Sequence, residues 1–276
     1  MIRKNLMPLP SDCSTLAVPV WHFGTTGEAL SVSHGERKAA LEGLVAASID
    51  PSVMIPGTGL CNLPDTVDLC QHAINLGCAG VMTLPPFYFK AMSDAGLYDY
   101  FVQLIDMVND NRLKIYLYHI PQVSGVGLSI PLVKKLHAEF PDTIVGIKDS
   151  SGDWNNTQAL LSIDGLIVYP GTELPVIDAI RLGAPGCISA TANLNGADIA
   201  EVIALCHAGA WDAAEAEHKK VCAVRLLFQD YAPIPAQKAL LARQLGQPSW
   251  NNLRPPMQSM ATDKLNALAD ALDKEL

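Results

Sequence analysis

Thr143-Ile144-Val145-Gly146-Ile147-Lys148-Asp149-Ser150-Ser151 is an apolar stretch that ends in a lysine and then turns polar. Its β-branched residues and single glycine predict a strand covered on both faces, as strands of a parallel sheet are. Side chains alternate along a strand, so Ile144, Gly146 and Lys148 share one face, and Val145, Ile147 and Asp149 the other. Lys148 therefore points away from Asp149. A carboxylate on its own face would hold an ammonium charged, whereas an apolar surround favours the neutral amine. An ordinary lysine amine is only about 0.04% neutral at pH 7, so a nucleophilic lysine needs such a surround. A neutral amine at a strand end attacks carbonyl carbon to give a Schiff base. The competing reading is a structural lysine that snorkels to water or pairs with a carboxylate.

The 276 residues suffice for one large α/β barrel or two ordinary domains, and 49% hydrophobic with 17% charged content is that of a folded globular chain. The net charge is −9, and Lys and Arg never run longer than a pair, which excludes a nucleic-acid backbone as the expected partner. Seven scattered cysteines without a Cys-x-x-Cys pair predict reduced thiols and a cytoplasmic location. The histidines lack metal-ligand spacing, so no metal is expected. Pro8, Pro10 and Asp12 interrupt any leader-like apolar run, and no stretch approaches the ~20 apolar residues of a membrane span, so neither secretion nor insertion is expected.

Residues 1–15 read as irregular. A strand from Leu16 to Phe23 then runs into Gly24-Thr25-Thr26-Gly27-Glu28, and Ser33 with Glu36 forms a capping box for a helix to about Ala47. Further strands are predicted at Val53–Pro56, Gly80–Leu84, Leu113–Tyr118, Thr143–Lys148, Leu166–Tyr169 and Gly186–Ser189, each followed by a polar or glycine-rich loop and a helix. Strand, loop and helix recur about every 30 residues, the rhythm of a TIM (β/α)8-type barrel. A doubly wound sheet would place its polar loops at one switch point, whereas here they follow every strand. The expected division is 1–15 irregular, 16–209 barrel and 210–276 an appended C-terminal helical segment.

The loops after the strands form the active face of a barrel, so candidates distant in sequence converge there. Lys148 is central. Tyr118 ends the preceding strand and is the candidate for moving protons to and from it. Gly24, Thr25 and Thr26 lie in a tight turn whose N–H groups suit a small carboxylate, although most glycine turns only connect elements. Tyr88, between Phe87 and Phe89, reads equally as core or interface.

Gly24-Thr25-Thr26-Gly27-Glu28, Pro86-Phe87-Tyr88, Tyr118-x-x-Pro121 with Ser124-Gly125, Gly146-Ile147-Lys148-Asp149 and Gly186-Cys187-Ile188-Ser189 with Thr191-Ala192-Asn193 occur in order. This series, from about Leu16 to Pro256, resembles the dihydrodipicolinate synthase / N-acetylneuraminate lyase family. The resemblance implies a lyase of class I aldolase type acting on pyruvate or a related 2-oxo acid through a covalent imine, with no other cofactor. It implies that Lys148 forms the Schiff base, Tyr118 shuttles protons, Thr25 relays them and Thr26 holds the pyruvate carboxylate. It further implies that Tyr88 crosses to an adjacent subunit, that Gly171 and Ile188 line the pocket, and that the protein is a homotetramer built from two dimers.

Two departures refine this. Synthase members carry an arginine two residues after the proline of the Tyr-x-x-Pro loop, where it holds the second substrate's carboxylate. Here that position is Val123, after Gln122, and valine offers no bidentate fork. Only 23 residues precede Gly24, fewer than the strand and helix that open family members, so the first βα unit is expected to be missing or collapsed. The leading expectation is C–C bond making or breaking, or dehydration of a sugar acid. The alternatives are 4-hydroxy-tetrahydrodipicolinate synthase activity and a catalytically silent relative.

Overall fold

The computed structural model of the chain describes residues 23–275. The expected irregular segment, the strand from Leu16 and the shortened first unit lie outside these residues, Phe23 excepted. Within them are two compact units, one running to Gly171 and including Leu182–Pro185, the other formed by Thr172–Arg181 and the chain from Gly186 onward.

The first unit is built on four parallel strands in sequence order, β1 (Val81–Thr83), β2 (Ile115–His119), β3 (Ile144–Asp149) and β4 (Ile167–Pro170). Helices α1 (His34–Ala46) and α2 (Leu63–Asn75) precede β1, α3 (Asp94–Val108), α5 (Ile130–Glu139) and α6 (Trp154–Leu161) alternate with the strands, and a short α4 (Pro121–Ser124) follows β2. Local chemistry starts these helices. Ser33 and Glu36 form the full capping box of α1, and the side chains of Asn62, Ser93, Ser129 and Asp153 accept the first free N–H groups of α2, α3, α5 and α6.

One sheet face is apolar at its centre. Leu117, Ile147 and Val168 stand side by side on β2, β3 and β4 and pack with Leu97, Phe101 and Leu104 of α3, Leu132, Val133 and Leu136 of α5 and Leu160 of α6. Each such buried side chain contributes about 1.5–3 kcal/mol of transfer free energy, so the register that faces them to the helices is strongly fixed. Moving the strands by one residue would put Lys148 into this layer.

The second unit is helical, with α7 (Val176–Arg181), α8 (Ala192–His207), α9 (Trp211–Leu227), α10 (Pro233–Gln244) and α11 (Thr262–Glu275). Val176, Ile199, Val202, Ile203 and Val221 form one cluster, and Val224, Phe228, Ala236, Leu240, Leu268 and Leu272 another.

Two expected strands differ. Val53–Pro56 begins as a 3-10 turn, and only Met54 onward is extended, held to the β1 region by Ala79 N–H to Met54 O and Met82 N–H to Pro56 O. Pro51 favours the turn, and Pro56 has no N–H to give a ladder. Gly186–Ser189 forms no ladder with any described residue. Sequence also missed α4, a single turn started by Pro121 and ended by Gly125 in the left-handed region at φ 67°.

Candidate active site

The sheet face opposite the apolar layer carries Tyr116 and Tyr118 on β2, Gly146 and Lys148 on β3, and Tyr169 on β4. Tyr116 pairs in register with Gly146, and Lys148 with both Tyr118 and Tyr169. Gly146 leaves room for aromatic rings on this face. A Cβ there would lie 2.6 Å from Cδ1 of Tyr116 and 2.6 Å from the Ile167 carbonyl oxygen. The rings of Tyr116 and Tyr169 lie 6.2 Å apart.

Lys148 is buried, with 9% of its surface exposed, and its Nζ stands 4.6 Å from the centre of the Tyr118 ring. Asp149 faces the other way. Its carboxylate accepts from Ser151 N–H at 2.9 Å, Asn156 Nδ2 at 3.1 Å and Thr157 Oγ1 at 2.7 Å, which ties the end of β3 to α6. The neighbouring His119 is structural as well, since its Nδ1 accepts from Leu128 N–H and burial holds its pKa below the usual imidazole value despite Asp149.

The Tyr118 hydroxyl hydrogen-bonds Thr25 Oγ1 at 3.1 Å, joining residues 93 positions apart. Thr25 lies in a tight turn closed by Glu28 N–H to Thr25 O and Ala29 N–H to Gly24 O, which also carries Gly24 and Thr26. Buried Arg37 on α1 donates from Nη2 to the Ala29 carbonyl at the end of that turn, and burial lowers its pKa. Sequence reading passed over Arg37, whose place one residue after the Glu36 of the capping box gave no sign that it turns inward.

Burial pushes the Tyr169 phenol up to about 12, with Tyr116 nearby adding to the effect, and raises Tyr116 as well. Both therefore stay protonated near neutrality. Counting back from the polar loops after each strand would have placed Tyr169 beside Lys148.

The loops extend the ladder beyond the strands. Ser150 N–H donates to His119 O, Gly171 N–H to Asp149 O, and Gln122 Nε2 to Ser150 O at 2.5 Å. Gly171 is needed for this approach, because a Cβ there would fall 2.0 Å from Ser150 Oγ and 2.7 Å from its Cα.

Of the expected site residues, Lys148, Tyr118 and Thr25 come together in one unit, with Gly24 and Thr26 in the same turn as Thr25. Tyr88 does not join them. It is 73% exposed and packs edge-on against Phe89 at 5.4 Å. Ile188 is buried in the second unit. That unit also buries Glu173, whose carboxylate accepts from the hydroxyls of Thr172, Ser189 and Thr191 and whose carbonyl accepts from His218 Nε2 at 2.8 Å. Among the described residues no cluster of His, Cys, Asp and Glu suits a metal ion, and no helix is long and apolar enough to cross a membrane.

Residues 17–275 match the model of the dihydrodipicolinate synthetase family. The chain is 34% identical to an uncharacterized DapA-like lyase of Chloroflexus aurantiacus over 91% of this chain and 83% of that protein. It is 34% identical to the 4-hydroxy-tetrahydrodipicolinate synthase of Thermus thermophilus over 85% of this chain and 77% of the relative. The structure superposes on dihydrodipicolinate synthase from Agrobacterium tumefaciens with a TM-score of 0.84 at 30% identity, covering 93% of this chain and 87% of that one. Such relatives are TIM-barrel proteins, in keeping with the parallel sheet and C-terminal helices described above. The chain belongs to the dihydrodipicolinate synthetase family of lyases.

Proposed function

We propose that Lys148 is the covalent nucleophile of a class I aldolase acting on pyruvate or a closely related 2-oxo acid. The observation that carries this reading is the placement of Lys148 beside Tyr118, in register on one sheet face, with the Tyr118 hydroxyl bonded to Thr25. The neutral amine adds to C2 of pyruvate. The former carbonyl oxygen leaves as water after taking up two protons, and a C=N bond replaces C=O. The iminium draws electrons from C3, which loses a proton to become the enamine carbon. That carbon bonds to an aldehyde carbon, the aldehyde oxygen takes a proton, and water then releases the product and the free amine. Run backwards, the same steps cleave a C–C bond.

Tyr118 and Thr25 are the proton path for these transfers, because hydroxyls in a chain pass a proton without a charged group having to move. The backbone N–H groups of the Gly24–Thr26 turn, steadied by Arg37, hold the pyruvate carboxylate. The imine itself is the electron sink, so the chemistry calls for no metal or other cofactor. The exposed Tyr88 is assigned to the face where a second subunit completes the site, within a homotetramer, and a cytoplasmic setting agrees with free thiols.

Val123 directs the reading away from an amino-acid semialdehyde held by an arginine at that position. The likeness to named synthases favours the other reading, 4-hydroxy-tetrahydrodipicolinate synthase. Turnover decides between them. The purified chain is assayed for cleavage of 2-oxo-3-deoxy sugar acids and for condensation of pyruvate with aspartate semialdehyde. Preferential sugar-acid cleavage is expected, and a dominant semialdehyde condensation overturns the choice.

A further inference from the structure

Val123 is 63% exposed and offers no charge, so its own loop supplies no cation to a second substrate. The neighbouring loop does. Lys90, after β1, reaches across to the loop after β2, where its Nζ donates to the carbonyl of Ser124, one residue past Val123, at 2.5 Å, and also to that of Phe87. Its stem lies along the bare face of Gly125, where a Cβ would meet Nζ at 2.9 Å, Cε at 3.0 Å and Cδ at 3.2 Å.

An ammonium has three N–H donors, and two carbonyls use two of them without neutralising its charge. No described carboxylate forms an ion pair with Lys90, and the residue is solvent-exposed. Three other cations of this unit are engaged elsewhere with acidic or aromatic partners. Lys38 pairs with Asp68, Arg112 with Asp110, and Lys135 lies over the Tyr98 ring near Glu139. β1 and β2 are adjacent and parallel, and β2 is adjacent to β3, so the loop that carries Lys90 leaves the same end of the sheet at which Tyr118 and Lys148 stand.

We propose that Lys90 is the specificity-determining cation for the second substrate, receiving a carboxylate or phosphate at the end of that substrate remote from its reacting carbonyl. Among the aldehydes that sugar-acid cleavage yields or consumes, those with a terminal carboxylate or phosphate are then favoured over neutral ones, the charge coming from the loop adjacent to that of Val123. This rests on the reading of Lys148 as the pyruvate-binding nucleophile. A lysine that only ties two loops together is the competing role, and it makes no distinction between charged and neutral substrates.

The test measures pyruvate-dependent consumption of glyceraldehyde, succinate semialdehyde and glyceraldehyde 3-phosphate by the parent, Lys90→Gln and Lys90→Arg. Glutamine keeps N–H donors for the loop carbonyls and removes the charge. The expected result is a rise of about tenfold in KM for one or both acidic aldehydes in Lys90→Gln, with KM for glyceraldehyde changed less than about twofold and Lys90→Arg near the parent. Which acidic aldehyde responds tells carboxylate from phosphate. An equal rise for all three, or no rise for any, overturns the proposal.

If the parent turns over none of them, the Lys148 reading is what fails. Calorimetric titration with glycerol 3-phosphate and with malonate then decides Lys90 by itself. Weaker binding of either anion to Lys90→Gln than to the parent upholds the anion site, and equal binding of both sinks it.

Discussion

Gly146 carries no side chain because Tyr116 and the Ile167 carbonyl occupy the space one would need. Gly146→Ala forces a ring or a strand to move and should cost about 1–3 kcal/mol, read as a lower denaturant midpoint at unchanged slope. An unchanged midpoint would show that the ring yields freely. Tyr118 makes a different prediction. Tyr118→Phe keeps the ring beside Lys148 and removes the hydroxyl that bonds Thr25, so kcat should fall by about 10²-fold or more while the unfolding free energy changes by less than about 1.5 kcal/mol. A variant that keeps full kcat removes Tyr118 from the proton path. Lys148 was legible in sequence because it ends an apolar strand. The Tyr118–Thr25 bond was legible only as a family expectation, since no local pattern sets the distance between loops so far apart.

At the scale of elements, the helix starts were the most readable feature, because a cap is a short-range bargain between a side chain and the next free N–H groups. Ser33 accepts from Glu36 N–H at 3.4 Å while Glu36 Oε2 accepts from Ser33 N–H at 2.9 Å. Ser33→Ala should cost about 0.5–2 kcal/mol by chemical denaturation, and Ser33→Asp should recover most of it. α1 and α2 are joined at Asp68, whose carboxyl is held below its ordinary pKa chiefly by the Lys38 hydrogen bond at 2.9 Å, with Lys38, His34 and His72 charges adding to it against burial. A depressed acid stabilises the fold above its unfolded pKa near 4, and the gain is lost as pH falls through the lower folded value. Asp68 is half exposed, so Asp68→Asn should cost only a few tenths of a kcal/mol at pH 7 and nothing once the pH is well below 4. Val53–Pro56, extended only from Met54, and Gly186–Ser189, which ladders with no described residue, were less readable for the opposite reason. Whether an extended segment is a laddered strand depends on partners distant in sequence, and apolar residues alone do not identify them.

Across the whole molecule, burial sets the response to alkali. It pushes Cys70, Tyr100 and Tyr169 up to about 12 and Cys78 up to about 11, and raises Cys206 and Cys222 in the second unit. Raised pKa values stabilise the fold fully below the unfolded values, roughly 8.5 to 10, and that stability is lost as pH climbs toward the folded ones. The denaturation midpoint should thus hold steady from pH 7 to 8 and fall steeply between about pH 9 and 11.5. A flat profile across that range would show that these groups meet water in the folded state. The strand–loop–helix rhythm made the overall architecture readable, because every unit repeats the same amphipathic problem. Subunit assembly was not readable, as exposed Tyr88, Phe89 and Val123 look alike whether water or a partner covers them.

The most direct measurement is reduction with sodium borohydride in the presence of pyruvate, followed by mass mapping of the peptides. The account predicts one reduced pyruvyl group, on the peptide carrying Lys148 and absent from Lys148→Arg. An unmodified Lys148 peptide, or an adduct on another lysine that persists in Lys148→Arg, would contradict it.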